Sequence, residues 1–248
     1  VHRHGLDRRT DQGLRRRQPG VGPQGAGAGP AGASARIDLS DSSGRQGGGG
    51  GATGVRHRTL GLPEEDRYIG RGISFCAICD GPFYKGKAAA VVGGGNSALQ
   101  EALYLSGICA SVRLIHRRAA FRGEARLLAE LQQRPNVRLL TNTVITAFSG
   151  EGCLTALTLQ NVLTGDVSEI AADVLFEAIG LIPGSESFRD LVQMDENGYL
   201  SAGEDCRTSC PGIFAAGDCR TKTVRQLTTA VADGSAAALA AASYLEEN

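Results

Sequence analysis

A glycine-rich turn between a predicted strand and a predicted helix constrains the fold of this chain more than any other feature. Ala88 to Val92 is a short apolar run typical of a buried strand, and Asn96 to Ser106 has apolar residues at helical spacing. Small residues between them let main-chain N–H groups approach a pyrophosphate at the helix N-terminus, although a simple tight turn is an alternative. The sequence GxGxxA predicts nucleotide contacts from Gly93, Gly95, Asn96, Ser97 and Ala98.

Basic residues follow the next predicted strand, Ser111 to Ile115. A site that prefers NAD would place a carboxylate here for the ribose 2′-hydroxyl, whereas guanidinium groups suit a 2′-phosphate. The cluster therefore predicts NADPH as the nucleotide, with an ordinary exposed basic turn as the alternative. The members of this cluster are His116, Arg117, Arg118 and Arg122. Outside the cluster, Gly180 is a further expected nucleotide contact.

The rest of the chain from about Leu60 is patterned as a packed α/β domain. A helix over Glu124 to Gln133 and a strand over Val137 to Leu140 extend the βαβ unit. Four runs with a period of two then predict a small antiparallel meander laid on it: Val144 to Phe148, Leu154 to Leu159, Val167 to Ala171 and Val174 to Ile179. A buried strand over Ile213 to Ala216 and an Ala-rich helix over Leu227 to Leu245 follow.

Cys76 and Cys79 form a CxxC motif just before the nucleotide fold. This spacing suits a redox disulfide or half of a zinc site. Zinc needs two further ligands, and Cys206 and Cys210 are distant and differently spaced, so redox chemistry is favoured and no metal is expected. Asp80 could serve as the acid or base of a thiol–disulfide cycle, or could be a simple turn residue. The other five cysteines are expected to be small buried hydrophobes.

Composition excludes several classes of protein. Lys and Arg total 26, as do Asp and Glu, so no overall field favours nucleic acid or an anionic membrane. No apolar run is long enough to span a membrane, and no hydrophobic signal segment is present at the amino terminus, which favours the cytoplasm. Residues 1–50 contain thirteen Gly but only six Val, Ile or Leu, a composition for which we expect disorder.

Four motifs in order, CAICDGPF, VVGGGNSALQEA, HRRAAFR and IFAAGD, resemble the low-molecular-weight thioredoxin reductase family over about Ala52 to Leu245. The resemblance implies a Rossmann-like NADPH-binding domain inserted in a split FAD-binding domain. It also implies that electrons pass from NADPH through FAD to the Cys76–Cys79 disulfide and then to thioredoxin or a thioredoxin-like protein. Cys79 would face the flavin, Cys76 would attack the partner disulfide, and Asp80 would donate the proton. A homodimer is implied as well.

The resemblance also assigns residues to the flavin. Gly217 and Asp218 would lie at its ribityl or phosphate region, and Arg225 and Gln226 at its pyrimidine edge. The resulting organisation is a remnant over residues 1–51, a crossover over 52–60, the NADPH-binding domain over 61–181 and the carboxyl-terminal part of the FAD domain over 182–248.

The amino-terminal half of the FAD domain is incomplete in this organisation. Gly27, Gly29 and Gly32 spell the flavin fingerprint GxGPAG, but Pro19 and Pro23 lie where its strand should run. We therefore expect weak or absent FAD binding. A noncatalytic NADPH-binding module and a reductase subunit that serves a peroxiredoxin are the alternative functions.

Overall fold

The computed structural model describes residues 35–40 and 46–247, in which strands and helices alternate. The strands are β1 (Ala35–Ser40), β2 (Gln46–Ala52), β3 (Val55–His57), β4 (Ile73–Ser74), β5 (Ala88–Val92), β6 (Ser111–Ile115), β7 (Val137–Leu140), β8 (Thr143–Ser149), β9 (Ala156–Asn161), β10 (Val167–Ala171), β11 (Val174–Glu177) and β12 (Leu181–Pro183). The α-helices are α1 (Glu65–Tyr68), α2 (Ala77–Asp80), α3 (Asn96–Ser106), α4 (Ala125–Gln132) and α5 (Leu227–Glu247). Two 3-10 turns cover Gly81–Tyr84 and Glu186–Phe188.

A five-stranded parallel sheet in the order β4-β11-β5-β6-β7 forms the centre of the fold. Helices α3 and α4 pack on one face of it through a core that includes Leu99, Leu105 and Leu131. On the other face, a second core joins the sheet to the antiparallel strands through residues such as Ile145 and Leu157. The predicted α/β class with a Rossmann-like βαβ unit is confirmed.

The antiparallel sheet has three strands, in the order β10-β9-β8, rather than the predicted four. The fourth run, Val174 to Ile179, instead enters the parallel sheet as β11, between β4 and β5. Its residues Val174–Glu177 are buried on both faces, which is typical of a central parallel strand and not of an edge in a meander. Strand β9 begins at Ala156 and not at Leu154, whose N–H donates instead to the Arg71 carbonyl at 2.9 Å.

A two-stranded antiparallel pair, β3 with β12, links the parallel-sheet domain to the segments on either side of it. Strands β1 and β2 form a second antiparallel pair. We expected these two segments to be disordered, but they form strands. Consecutive glycines in β2 can still pair, because the pairing needs only main-chain hydrogen bonds. The other residues for which we expected disorder, and the whole GxGPAG motif, lie outside the described residues.

The carboxyl-terminal segment ends in α5, as predicted, but the strand expected over Ile213 to Ala216 does not form. Only an isolated bridge joins Phe214 to Arg207. The tight turn at Gly212, which has a φ of 80°, precedes this run. Within the described part of the chain, the run pairs only with Arg207. Among the described residues, no helix combines the length and the apolar character that crossing a bilayer requires.

Candidate active site

An open cavity of about 950 Å³ lies at the carboxyl ends of β5 and β6. This is the edge of a parallel α/β sheet at which nucleotides bind. Gly95 and Ser97 line it at the start of α3, whose N-terminus has no side-chain cap. Its main-chain N–H groups are therefore available to an anion such as a pyrophosphate.

Close packing explains the small residues of the glycine-rich turn. A Cβ atom at Gly93 would overlap the carbonyl oxygen of Ala178 and the Cβ atom of Ala98. A Cβ atom at Gly94 would overlap the ring of His116. The turn can therefore approach both the sheet and the following loop only because these positions carry no larger side chain.

His116 is a packing residue as well as part of the cavity wall. It is buried, stacks on Phe121 with ring centroids 5.0 Å apart, and contacts the carbonyl of Ala120 through Nε2 at 3.1 Å. Burial lowers the pKa of His116, and the nearby Arg122 and Arg118 lower it further. A neutral ring held in this way supports the basic loop and adds no charge to it.

The structure brings most, but not all, of the predicted nucleotide residues to the cavity. Asn96 instead bonds to Glu124 at the start of α4, with its Oδ1 accepting from the Glu124 N–H at 2.7 Å. Ala98 is buried behind the turn, and Arg118 does not reach the cavity. The predicted residues in the wall are Gly93, Gly95, Ser97, His116, Arg117, Arg122 and Gly180.

Two cationic residues of the cavity wall were not predicted as nucleotide contacts. Arg56 and Arg58 come from the β3 crossover and line the cavity with Arg117 and Arg122. The Arg58 side chain lies across Gly180, where the chain has a φ of 118°. Only the pairing of β3 with β12 brings this segment to the cavity, so spacing along the sequence could not reveal it.

A buried pair of acidic residues lies behind the cavity wall. Glu65 accepts hydrogen bonds from the N–H groups of Leu60, Gly61 and Leu62, at 2.7, 2.7 and 3.1 Å. Glu177, at the end of β11, is 2% exposed. Burial and the neighbouring Glu65 carboxylate raise the pKa of Glu177 to about 9, so Glu177 is protonated at neutral pH.

Cys76 and Cys79 are joined to each other as a disulfide, with Cα atoms 5.3 Å apart. Cys76 caps the short helix α2, and its Sγ accepts from the Cys79 N–H at 3.2 Å. Both sulfurs lie near one side chain of the carboxyl-terminal segment: Gln226 is 4.0 Å from the Cys76 Sγ and 3.9 Å from the Cys79 Sγ. The disulfide therefore faces the residues just before α5.

Asp80 is held in place by Ser74, a residue that the sequence did not single out for this role. The buried Ser74 hydroxyl donates to the Asp80 carboxylate at 2.6 Å and accepts from the Cys76 N–H at 3.3 Å. Ser74 thus connects the acidic side chain to the main chain of the disulfide.

His57 joins the crossover to the disulfide loop. Its ring stacks on Phe75, the residue before Cys76, with centroids 4.5 Å apart and planes 18° from parallel. Burial lowers the pKa of His57, while the charge of Asp218 opposes this effect. Crossover, disulfide and the Asp218 loop therefore meet at one place.

The Asp218 loop contains an unsatisfied buried atom. Asp218 Oδ1 is buried and has no hydrogen-bond partner among the described residues. Such an atom is costly unless a ligand donates to it, and a ribityl hydroxyl is a suitable donor. Arg225 is fixed beside it, because its Nε donates to the Asp218 carbonyl at 3.2 Å and its guanidinium lies 4.0 Å over the Tyr199 ring.

A buried ion-pair network supports this loop from α5. Asp233 accepts from Arg220 Nη2 at 2.7 Å and from Lys222 Nζ at 2.9 Å, and also from the Gly217 N–H at 2.9 Å. These donors hold the pKa of Asp233 well below its usual range. The bond to Gly217, which has a φ of 85°, ties the loop directly to the helix.

The other five cysteines are free thiols with different exposures. Cys109, Cys206 and Cys219 are buried, as predicted, and burial raises the pKa of each. Cys153 is exposed and Cys210 is half-buried, so the prediction was wrong for these two. Cys153 is exposed because it lies in the turn between β8 and β9.

Comparison with known proteins relates this chain to a family. Residues 52–234 match the model of the family described as pyridine nucleotide-disulphide oxidoreductase. The chain is 42% identical to the thioredoxin reductase of Treponema pallidum over 195 residues, which is 79% of this chain and 63% of that protein. It is 44% identical to the thioredoxin reductase of Mycoplasma genitalium over 76% of this chain and 60% of that protein.

Solved structures give the same similarity. The crystal structure of thioredoxin reductase from Streptococcus pyogenes matches with a TM-score of 0.74 and 37% identity, over 79% of this chain and 64% of that chain. The thioredoxin reductase from Giardia duodenalis matches with a TM-score of 0.72 and 34% identity, over 78% and 64%. The chain thus spans about 60% of the length of the curated relatives that it matches.

Proposed function

Because the chain belongs to the pyridine nucleotide-disulphide oxidoreductase family, we propose that it is an NADPH-dependent disulfide reductase of the thioredoxin reductase type. In this proposal electrons pass from NADPH through FAD to the Cys76–Cys79 disulfide, and from the resulting dithiol to a thioredoxin-like protein. The strongest support is the position of the disulfide, within 4.0 Å of Gln226 and next to the loop that carries the unsatisfied Asp218.

NADPH would occupy the cavity at the end of the parallel sheet. The N-terminus of α3 would bind the pyrophosphate through main-chain N–H groups at Gly95 and Ser97. Arg117 and Arg122 would bind the 2′-phosphate, since a guanidinium donates two parallel hydrogen bonds to phosphate oxygens. Arg56 and Arg58 add positive charge from the crossover side.

FAD would lie between the disulfide and the Asp218 loop. Asp218 Oδ1 would accept a hydrogen bond from the ribityl chain, and Arg225 and Gln226 would lie at the pyrimidine edge, where the start of α5 favours negative charge. When bound, FAD supplies a group that accepts hydride from NADPH and passes the electrons to the disulfide. We expect weak or absent FAD binding, with no flavin retained on desalting, because the residues assigned to FAD here would contact only its ribityl or phosphate region and its pyrimidine edge.

The dithiol would then reduce a partner by thiol–disulfide exchange. The Cys76 thiolate attacks one sulfur of the partner disulfide, forms a mixed disulfide and releases the other sulfur as a thiolate. Cys79 attacks Cys76, which restores the Cys76–Cys79 bond and releases the second partner sulfur. Asp80, which Ser74 holds by a hydrogen bond, would protonate a leaving sulfur.

A second candidate function is an NADPH-binding module without reductase turnover. The observation that favours it is the cavity at the end of the parallel sheet, which the described residues line with glycines and arginines. Service to a peroxiredoxin is a further alternative for the same redox pair.

A reducing compartment such as the cytoplasm suits the five free thiols. The homodimer that the resemblance implies stays a prediction. Measurement of the molecular mass in solution by sedimentation would test it.

The test is NADPH oxidation in the presence of added FAD and a thioredoxin. We expect NADPH consumption to match the formation of two thiols per thioredoxin, and to require FAD and both Cys76 and Cys79. The variants C76S and C79S should bind NADPH normally and lose turnover. Tight NADPH binding by the wild-type chain with no turnover, even with excess FAD, would select the binding module instead.

A further inference from the structure

Glu101 is an acidic residue beside the disulfide that none of the steps above uses. It lies on α3, and its Oε2 atom is buried without a hydrogen-bond partner in the described part of the chain. The main chain of Ala77 makes a hydrogen bond to the same carboxyl group. Ala77 follows Cys76 directly and is fully buried. One oxygen of this partly buried carboxyl group is therefore enclosed by protein, next to the residue that follows Cys76.

Burial, and not a neighbouring charge, has the largest effect on the pKa of this carboxyl group. Burial raises the pKa of Glu101 to about 7, and the hydrogen bond from Ala77 opposes the increase. Helices α2 and α4 and strands β5 and β6 pack against α3. None of their charged groups contributes to this pKa. The charged or titratable side chains on these elements and on the 3-10 turn after α2 are Asp80, Tyr84, Arg113, Arg126 and Glu130.

Reduction of the disulfide changes the charge next to Glu101. Two electrons break the S–S bond, and the two sulfurs together need two protons to become neutral thiols. If one sulfur remains a thiolate, a negative charge appears beside Ala77. A second negative charge on Glu101 would repel it in this buried place, whereas a protonated carboxyl would not. The proton that the thiolate lacks can therefore reside on Glu101.

We propose that Glu101 is a positioning residue that holds the main chain of the disulfide turn and takes up a proton when Cys76–Cys79 is reduced. The proposal rests on the proposed function only in that this pair cycles between disulfide and dithiol. The electrons come from NADPH in that function and from dithiothreitol in the test below. Where Glu101 is ionised in the oxidised protein, the atoms and charges balance: two electrons and two protons enter, one proton on a sulfur and one on Glu101. Where Glu101 is already protonated, one proton enters, on a sulfur.

The test is the midpoint potential of the pair against pH, in the full chain. Wild type, Glu101→Gln and the control Glu130→Gln are equilibrated with dithiothreitol buffers from pH 6 to 8.5. After alkylation, mass spectrometry of the peptide that contains Cys76 and Cys79 gives the reduced fraction. Glu130 is a suitable control because the same charge is removed on the outer part of α4, where it pairs with Arg134.

We expect all three proteins to agree at pH 6, where Glu101 is protonated in both redox states. Above pH 7, Glu101→Gln should be reduced more readily than wild type, by about tenfold in the equilibrium constant at pH 8, or about 30 mV for a two-electron couple. Glu130→Gln should follow wild type throughout. Coincident curves for wild type and Glu101→Gln, or a constant offset at every pH, would overturn the proposal.

A measurement on the wild-type chain alone covers the case in which Glu101→Gln does not fold. The carboxyl carbon of Glu101 is titrated by NMR in the oxidised and the reduced protein. We expect a higher pKa in the reduced state, and equal values would overturn the proposal. Neither experiment uses NADPH, FAD or a partner protein, so a chain that fails as a reductase can still pass both.

Discussion

The Ser74 hydroxyl donates a hydrogen bond of 2.6 Å to the carboxylate of Asp80. Ser74 is buried at the end of β4, an edge strand of the parallel sheet, and is therefore fixed by the fold. Asp80 lies at the end of α2, where a side chain without this bond could turn toward solvent. The sheet thus orients the proposed proton donor through a single hydroxyl group.

Removal of that hydroxyl should slow the exchange step. We expect Ser74→Ala to lower the rate of thioredoxin reduction about tenfold, since a hydrogen bond to a charged group contributes about 1.5 kcal/mol or more. NADPH affinity should not change, because Ser74 lies outside the nucleotide cavity. Stopped-flow measurement of the dithiol with thioredoxin checks this. A rate equal to that of wild type would show that Asp80 does not depend on Ser74.

The cationic wall of the cavity should determine the choice of nucleotide. Arg122→Ala should weaken NADPH binding about tenfold or more while leaving NADH binding within twofold, because only NADPH has the 2′-phosphate. Fluorescence titration with both nucleotides measures the two affinities. Arg126→Ala, which removes an exposed arginine from α4, is the matched control. Equal losses for NADPH and NADH would place Arg122 away from the 2′-phosphate.

Glu177 should make stability fall as pH rises. Its pKa is about 9 in the folded chain against 4.5 as the ordinary value, so the folded state holds an extra proton between these limits. The free energy of unfolding should therefore decrease with pH in this window, by at most about 1.4 kcal/mol per unit. Urea unfolding at pH 6 and 8.5 should show a smaller decrease for Glu177→Gln than for wild type.

The control for this prediction is Glu169→Gln, an exposed substitution in β10. It should retain the decrease that wild type shows. If Glu177→Gln also retains it, the acid behind the cavity wall does not carry a proton at neutral pH.

Local pattern was enough to predict the part of the fold in which neighbours in sequence are neighbours in space. The unit from β5 through α3 to β6 is confirmed because its strand, glycine turn and helix are consecutive. The position of Val174–Glu177 could not be predicted in this way, since a short apolar run fits both an antiparallel edge and a central parallel strand. The strand is buried on both faces, which is the environment of a central parallel strand.

The site shows the same division. The disulfide between Cys76 and Cys79 could be anticipated from their spacing. The roles of Ser74, Glu101 and Arg56 could not, because each depends on segments that only the folded chain brings together. Glu101, for example, lies five residues after the first residue of α3. The sequence pattern at the start of this helix indicates only a nucleotide site.

The most direct measurement is a count of free thiols after NADPH is added to the oxidised chain. The structure has five free cysteines and one disulfide. With NADPH and FAD under anaerobic conditions, alkylation should increase from five thiols to seven, with both new thiols at Cys76 and Cys79. A count that stays at five, in protein whose disulfide dithiothreitol reduces to seven, would contradict the proposed path of electrons.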